Sequence, residues 1–357
     1  MAEHAAEFEW RGEGEEAEVV LYAPDDAAFE RALPATRLPG VENPVYAAAS
    51  PEGFGWIAVS TTHVAPDLLS SPMRGLLLVA GTRSENLSMI ARELANWMLR
   101  DLPETGSRLP SVSEAGFGRL CESGAHAAAE DGLIEEEDLP PLASWPGDAD
   151  ALGRRALAAG SRDWQQGVQP ELRVATEVLD TEGAENLGLE AGALTIVFVV
   201  GAGDLGRLAI AAHRERLQAR SEDFGTSLDL PAAPVESGEA QDLLAALYAA
   251  ANFADARAAR TVWMLRRLLG EAVGGLDVRA TWRVGGIEER DGRMIHRSHL
   301  ALVEGGGVLA CGGYAAAGTG NMWSSAPPFG VSEGEGRWTW EEAGLLERLA
   351  ALDPPEG

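Results

Sequence analysis

Hydrophobic positions repeat along the chain with the periods of both strands and helices. The apolar run Leu194–Val200 precedes a glycine-rich turn and is typical of a central strand buried in a sheet. Helical spacing over Glu239–Leu269 predicts one long helix. Alternation over Val278–Val284 predicts another strand. The turn signal Asp291-Gly292 predicts a hairpin in which Met294–Val303 pairs with the strand before it.

Shorter patterns complete the predicted set of elements. They are strands at Glu7–Trp10 and Val19–Ala23, a rigid connector at Arg37–Tyr46, helices at Leu87–Met98, Glu114–Glu130, Ala209–Ala219 and Trp338–Leu352, and an exposed acidic loop at about 131–150. The chain has no internal repeat and no segment with the composition of a linker. We therefore expect an α/β (mixed α+β) fold in one domain over residues 1–357.

Composition permits a large buried core and favours a cytoplasmic location. Of the 357 residues, 46% are hydrophobic, yet no stretch approaches the roughly 18 consecutive apolar residues of a membrane span. The segment Met1–Trp10 is acidic and lacks the apolar run of a secretory signal. Only Cys121 and Cys311 are cysteines, which favours reduced thiols over a disulfide framework. We expect a protein that does not associate with membranes.

The charge balance is strongly acidic, with 56 acidic and 28 basic residues and a net charge of −28. Every basic residue is arginine, so no lysine can form a Schiff base, accept a nucleotide or serve in a P-loop. The acidity argues against a broad nucleic-acid surface. A local groove lined by arginine remains compatible with the composition.

A glycine motif follows the predicted central strand. Gly201-Ala202-Gly203-Asp204-Leu205-Gly206 has the GxGxxG spacing of a dinucleotide fingerprint, which predicts a pyrophosphate site at the start of the next helix. The motif is specific only inside a βαβ unit, and the following segment, Arg220–Pro234, reads as loop. A dinucleotide-binding oxidoreductase is therefore one alternative. A tight strand-to-helix turn that needs small residues is the other interpretation.

Several short blocks, spread over most of the chain, form a colinear set. They are Leu38–Val41, Asn43–Tyr46, Gly53–Gly55, Val178–Asp180, Gly188–Gly192, Gly201–Gly206, Gln241–Leu243, Ala249–Ala254, Asp291-Gly292, His296-Arg297, Phe329-Gly330 and Gly334–Arg337. Together, from Leu38 to Arg337, they resemble the RtcB family, the GTP- and manganese-dependent ligases that join RNA 3′-phosphate to 5′-hydroxyl ends. The resemblance implies an RtcB-like fold with central sheets flanked by helices.

The resemblance also implies a mechanism whose chemical groups this chain lacks. In the family a histidine is guanylylated, and manganese is held by an Asp-x-x-Cys pair and several histidines. The corresponding metal positions carry Asp67, Ser70, Glu171 and Val199, and Glu333 stands where the guanylylated histidine would be. The resemblance therefore implies a catalytically inactive pseudo-ligase, with GTP and Mn²⁺ as cofactors only if the family activity survives.

Other matched positions retain groups suited to phosphate. Asn252, Arg297, Gly334, Gly336 and Arg337 are expected to line an anion pocket for RNA ends or a nucleotide, since guanidinium groups suit phosphate. A protein partner, such as an intact ligase, is a further expectation. His296 and His299 are three residues apart in a predicted strand, so they point to opposite faces and are not expected to share one metal ion.

A second alternative is an active enzyme with a rebuilt site. Glu52, Asp67, Glu171 and Glu333 fall at or beside the family's active-site positions. If they converge, their carboxylates would suit Mg²⁺, Ca²⁺ or Mn²⁺. The competing interpretation is that they are unrelated surface acids in a chain rich in them.

Overall fold

Strands and helices are mixed along the computed structural model, which describes residues 8–12, 19–23, 30–50, 53–83, 112–140, 142, 144–164, 171–178, 193–269, 273–303, 307–310, 313–316 and 331–333. The strands are β1 (Phe8–Gly12), β2 (Val19–Ala23), β3 (Val41–Ser50), β4 (Gly53–Ser60), β5 (His63–Val64), β6 (Met73–Arg83), β7 (Glu171–Val178), β8 (Ala193–Gly201), β9 (Ala233–Pro234), β10 (Leu276–Val284), β11 (Gly286–Arg290), β12 (Arg293–Ser298), β13 (Leu300–Val303), β14 (Gly307–Ala310), β15 (Gly313–Ala316) and β16 (Val331–Glu333). The α-helices are α1 (Glu114–Ser123), α2 (Ala125–Glu130), α3 (Ala149–Leu152), α4 (Arg154–Asp163), α5 (Gly203–Ala219), α6 (Ser221–Phe224) and α7 (Gly238–Leu269). Short 3-10 helices lie at Leu33–Arg37, Pro66–Leu68 and Glu136–Asp138.

Two larger sheets carry most of these strands. Their strand orders are β1-β2-β3-β4-β12-β11 and β10-β6-β8-β7-β16, and smaller sheets are formed by β13-β14-β15 and β5-β9. Strand β8 lies in the middle of the five-stranded sheet, where Ile196, Phe198 and Val200 are buried. This confirms the central strand predicted over Leu194–Val200. The mixed helix-and-sheet class is likewise confirmed.

Helix α7 organises the core. It has 32 residues and is therefore about 48 Å long. Phe253 packs with Phe117 and Trp164 in a layer of helices. Nearer its end, Val262 and Leu265 pack on the side chains of β6 and β8. Each fully buried aliphatic or aromatic side chain contributes about 1.5–3 kcal/mol, so this helix holds the helical layer on the five-stranded sheet.

The predicted hairpin is present, but one of its expected strands is different. Asp291 and Gly292 have φ angles of 53° and 73° and connect β11 to β12 as a two-residue turn. Two positive φ angles are those of a type I′ turn, which matches the twist of the strands. The hairpin partner of β12 is β11, whereas Val278–Val284 belongs to β10 and pairs with β6 in the other sheet. The expected pairing with Val278–Val284 was therefore wrong.

Two other predicted elements are corrected by the structure. The helix expected over Glu114–Glu130 is broken at Gly124, whose φ of 61° ends α1 and begins α2. The connector expected over Arg37–Tyr46 contains the start of β3. Its pairing with β4 shifts register between Glu42 and Tyr46, which flank Pro44, a residue that has no N–H to donate.

The acidic segment around 131–150 is only partly an exposed loop. Its acidic residues Glu135–Glu137 are exposed, but Leu133, Ile134 and Leu142 are buried in the helical layer. The helices predicted at Leu87–Met98 and Trp338–Leu352 lie outside the described residues. Among the helices that the structure describes, none combines the length and the apolar character needed to cross a membrane.

Candidate functional site

The segment Leu69–Met73 joins three distant parts of the chain. The Ser70 backbone N–H donates to the Arg297 carbonyl (3.2 Å), and the Ser70 carbonyl accepts from the Gly286 N–H (2.9 Å). The Ser71 hydroxyl donates to the Gly203 carbonyl (3.2 Å). These contacts tie the end of β12, the β10–β11 junction and the start of α5 around one segment.

The β10–β11 junction approaches this segment so closely that it needs glycine. A Cβ on Gly285 would lie 2.3 Å from the Ser70 Oγ and 2.9 Å from the Ser71 carbonyl oxygen. Gly285 and Gly286 also have φ angles of 68° and 72°, in the left-handed region that glycine favours. The position of Leu69–Met73 is therefore fixed from this side by backbone contact.

An open cleft of about 530 Å³ lies beside this segment. Its lining residues are Leu69, Ser70, Ser71, Asp163, Gly203, Asp204, Arg207, Ile210 and His299. The volume is within the range of small-molecule sites. His299 follows β12 with a φ of 56°, which is uncommon for a non-glycine residue, and its backbone N–H donates to the Ser70 Oγ (2.9 Å).

A carboxylate of the chain itself lies at the N-terminus of α5. Asp163 is 5% exposed and accepts a hydrogen bond from the Leu205 N–H at 3.3 Å. A Cβ on Gly203 would lie 2.7 Å from its Oδ2. The N-terminus of a helix favours one negative charge near its first N–H groups. In this protein Asp163 supplies that charge, where a dinucleotide would place its pyrophosphate.

The topology around Gly201–Gly206 also differs from a dinucleotide-binding unit. The motif does connect a strand to a helix, as predicted, but β8 is antiparallel to both neighbours, β6 and β7. The next strand, β9, belongs to the two-stranded sheet. Close packing accounts for the glycine at position 206, because a Cβ on Gly206 would lie 2.3 Å from the Ser71 Oγ. These observations favour the tight-turn interpretation over the dinucleotide site.

The positions that the resemblance assigned to metal ligands have other surroundings in the structure. Asp67 forms an ion pair of 2.5 Å with Arg214 on α5. The Ser70 Oγ accepts the His299 N–H, and Val199 is a half-buried apolar residue on β8. Within the described ranges, no three His, Cys, Asp or Glu side chains are grouped to hold a metal ion. The described residues therefore do not fit the manganese site that the resemblance implies.

The backbone register separates the remaining acids. Glu171 on β7 pairs with Val197 on β8, and Glu333 on β16 pairs with Ala175 on β7. Ala175 is four residues further along β7 than Glu171, a distance of about 13 Å. Ala175 lies near the start of β8, whereas the cleft is at its end. This arrangement does not bring Glu171 and Glu333 into one site, and Glu52 lies outside the described residues.

Asn252 is a structural residue and does not line the cleft. Its side chain is fully buried, and its Nδ2 donates to the carbonyl oxygens of Cys121 (3.0 Å), Glu122 (2.9 Å) and Trp145 (2.9 Å). Its Oδ1 accepts the Trp145 N–H at 2.9 Å. All its hydrogen-bonding groups are used in holding the end of α1 and the loop before α3 against α7. The expected phosphate-binding role of Asn252 was therefore misplaced.

Arg297 belongs to a buried cluster of charged side chains. Arg74 donates two hydrogen bonds to Asp255 (2.6 and 2.9 Å), and Arg283 donates a third (3.2 Å). Arg297 forms an ion pair with Glu288 (3.1 Å). Burial lowers the pKa of Arg283 to about 9 and also lowers the pKa of Arg297, while the carboxylates oppose these shifts.

The two neighbouring histidines have different environments because His296 lies in β12, whereas His299 follows the end of that strand and is not part of the predicted alternation. His296 is completely buried, and its Nε2 accepts the Ala65 N–H at 3.1 Å. Burial lowers the pKa of His296 to about 4, so the imidazole is neutral at pH 7. His299, by contrast, lines the cleft.

Sequence reasoning missed Asp163 and most of the buried charge cluster. One signal was present, because Asp255, Arg257 and Arg260 interrupt the apolar pattern of α7 at positions that are all buried. A charged residue on a buried helix face requires a partner, so these positions indicated an internal ion-pair network. Its members on β6, β10 and β12 could be assigned only from the fold.

The remaining anion-pocket candidates, Gly334, Gly336 and Arg337, lie outside the described residues. Comparison with known proteins adds no assignment to the site. No protein-family model matches the chain, and no curated protein matches it.

Proposed function

We propose that this protein is a non-catalytic, RtcB-like protein that binds a phosphate-bearing ligand, an RNA end or a nucleotide, in the cleft beside Leu69–Met73. The observation that carries the proposal is the convergence of three segments. Ser70, Gly203 and His299 lie far apart in sequence and line one cleft. The sequence resemblance separately assigned Ser70 and Val199, which is four residues before Gly203, to metal positions. It assigned Arg297, which is two residues before His299, to an anion pocket.

We expect no catalytic turnover because of the side chains at the positions that the resemblance assigned to metal ligands. Asp67 is held by Arg214, and residues 70 and 199 are serine and valine. A serine hydroxyl and an aliphatic side chain cannot replace the thiolate and imidazole groups that hold a transition metal. The retained framework is therefore expected to bind without transferring a nucleotide.

Among the described residues that line the cleft, the accessible cation is Arg207. Its side chain is 65% exposed, and its ion pair with Asp204 on the same helix turn is also exposed. Exposed pairs of this kind contribute about 0–1 kcal/mol, so a ligand phosphate can replace the carboxylate of Asp204 at small cost. The fork geometry of guanidinium suits two phosphate oxygens at once.

The test compares two labelled RNA oligonucleotides that differ only in a 3′-phosphate or a 3′-hydroxyl end. We expect tighter binding of the 3′-phosphate and about a tenfold loss in Arg207→Gln, the size of one charge-assisted contact. Arg220→Gln is the matched control, because Arg220 forms an exposed i,i+3 pair with Asp223 outside the cleft. Competition by GTP separates a nucleotide site from an RNA-end site.

Equal affinity for the two RNA ends, together with no displacement by GTP, would contradict the proposed ligand class. Equal losses in Arg207→Gln and Arg220→Gln would show that binding follows overall charge and not the cleft. All measurements need one fixed salt concentration, because phosphate contacts weaken as salt rises.

A further inference from the structure

The ion pair between Asp204 and Arg207 uses only part of the hydrogen-bonding capacity of either side chain. Arg207 donates from Nε (3.1 Å) and from Nη2 (2.9 Å), and both hydrogen bonds reach the same oxygen, the Asp204 Oδ1. Within the described part of the chain, no group hydrogen-bonds to the Asp204 Oδ2 or accepts from the Arg207 Nη1. An acceptor and several donors therefore remain available side by side.

This pair lies in the open cleft and is accessible to a ligand. Both residues line the cleft, and the side chains of Arg207 and Asp204 are 65% and 51% exposed. They lie in the first turns of α5, where Asp163 already places a carboxylate at the Leu205 N–H. The negative charge at this helix N-terminus therefore does not depend on Asp204 alone. Because an exposed i,i+3 pair is held only weakly, Asp204 can exchange contacts with a ligand at Arg207.

An acceptor beside a group of donors selects a ligand with the complementary arrangement. The ligand must present an anionic group to Arg207 and a hydrogen-bond donor, on a neighbouring atom, to Asp204. A phosphate and a hydroxyl on adjacent carbon atoms have this arrangement. In a nucleotide it occurs at the 2′ and 3′ positions of ribose, whereas a 5′-phosphate has no hydroxyl on the next carbon atom. Acidic side chains accept hydrogen bonds from ribose hydroxyls in other nucleotide sites.

We propose that Asp204 is a specificity-determining residue, which accepts a hydrogen bond from the hydroxyl next to the phosphate that Arg207 binds. The inference rests on the proposed function and narrows the ligand to a ribose with a 3′-phosphate and a free 2′-hydroxyl. The phosphate either displaces Asp204 from Arg207 or binds beside it at the unused donors. In both cases a carboxylate oxygen remains next to the phosphate. A 2′-deoxy end offers this oxygen no donor, so the 2′-hydroxyl distinguishes an RNA end from a DNA end.

The test measures the affinity of the full chain for three otherwise identical oligonucleotides that end in a 3′-phosphate. Their last sugar carries a 2′-hydroxyl, a 2′-hydrogen or a 2′-fluorine, and the fluorine is similar to the hydroxyl in size but cannot donate. We expect the 2′-hydroxyl ligand to bind about tenfold more tightly than either of the others, the size of one charge-assisted hydrogen bond. All affinities are measured at one salt concentration.

Asp204→Ala and Asp223→Ala form a matched pair of variants. Each removes the carboxylate of an exposed i,i+3 ion pair with arginine, but Asp223 and its partner Arg220 are not among the residues that line the cleft. We expect Asp204→Ala to reduce the tenfold ratio to about one by weakening the 2′-hydroxyl ligand, and Asp223→Ala to keep the ratio. If Asp204 only stabilised α5, all three ligands would weaken alike in Asp204→Ala. An unchanged ratio in that variant would overturn the proposal.

The role of Asp204 and the proposed function can fail separately. Equal affinity for the three sugars, with the 3′-phosphate still preferred over a 3′-hydroxyl, would overturn the role of Asp204 and leave the proposed ligand class in place. Lack of any preference for the 3′-phosphate would contradict the proposed function, and the role of Asp204 with it.

Discussion

Arg74 and Asp255 form a buried two-pronged ion pair, with hydrogen bonds of 2.6 and 2.9 Å between β6 and α7. Arg283 from β10 reaches the same carboxylate, so Asp255 holds two strands of the five-stranded sheet to the long helix. This contact links the sheet and the helix in one charged network.

Removal of the Asp255 charge should therefore be costly. We expect Asp255→Asn to lower the free energy of unfolding by about 3–5 kcal/mol, because two buried arginines lose their shared counter-charge. Asp277→Asn is the control, since Asp277 is 68% exposed and its pair with Arg279 contributes about 0–1 kcal/mol. Urea denaturation measures both values, and similar losses in the two variants would contradict the role given to Asp255.

Asn252 should influence stability without influencing ligand binding. Asn252→Ala leaves three carbonyl oxygens and one N–H without their side-chain partner. We expect the free energy of unfolding to fall by about 3 kcal/mol. Affinity for the 3′-phosphate RNA should stay within twofold of wild type under conditions in which the variant is folded. Loss of affinity with unchanged stability would instead place Asn252 in the binding site.

His296 should make the protein less stable in mild acid. Its pKa is about 4 in the folded protein and about 6.5 when exposed, so folding favours the neutral ring. Its stabilising contribution is complete above about pH 6.5 and is lost as pH falls toward 4. The loss is about 3 kcal/mol for this residue. His296→Gln should have a smaller pH slope of unfolding free energy over that interval, and an unchanged slope would refute this assignment.

The close contact between Gly203 and Asp163 predicts a difference between two glycine substitutions. Gly203 and Gly225 have φ angles of 57° and 65°, so alanine at either position incurs about 1–2 kcal/mol of backbone strain. Only at Gly203 does the added Cβ meet a carboxylate, at 2.7 Å, whereas nothing lies within 4 Å at Gly225. Gly203→Ala should therefore be the more destabilising by at least about 1 kcal/mol. Denaturant titration of the two variants tests the contact, and equal losses would argue against it.

Local sequence signals predicted the elements that local physics determines. The apolar run Leu194–Val200 and the turn Asp291-Gly292 were interpreted correctly, because burial and positive φ angles leave direct traces in residue type. The break at Gly124 was missed, since its cause lies far away in sequence. There, a Cβ would approach the Asn252 carbonyl oxygen to 3.1 Å.

The resemblance supplied only part of the candidate site. It assigned Ser70 and Val199 to metal positions and Arg297 to an anion pocket, but it did not predict that Ser70, Gly203 and His299 line one cleft. It could not indicate Asp163, which comes from α4 and supplies the negative charge at the N-terminus of α5. Nor could it show that the side chain of Asn252 is hydrogen-bonded to backbone groups. Such assignments depend on which side chains meet in three dimensions.

The proposed function requires that this chain binds a phosphate-bearing ligand without nucleotidyl transfer. The most direct test is the intact mass of the folded protein after incubation with GTP and Mn²⁺. The account predicts an unchanged mass, because no histidine stands at position 333 and the positions that the resemblance assigned to metal ligands include Asp67, Ser70 and Val199. A covalent guanylate on the chain would contradict the account and identify a working nucleotidyl transferase.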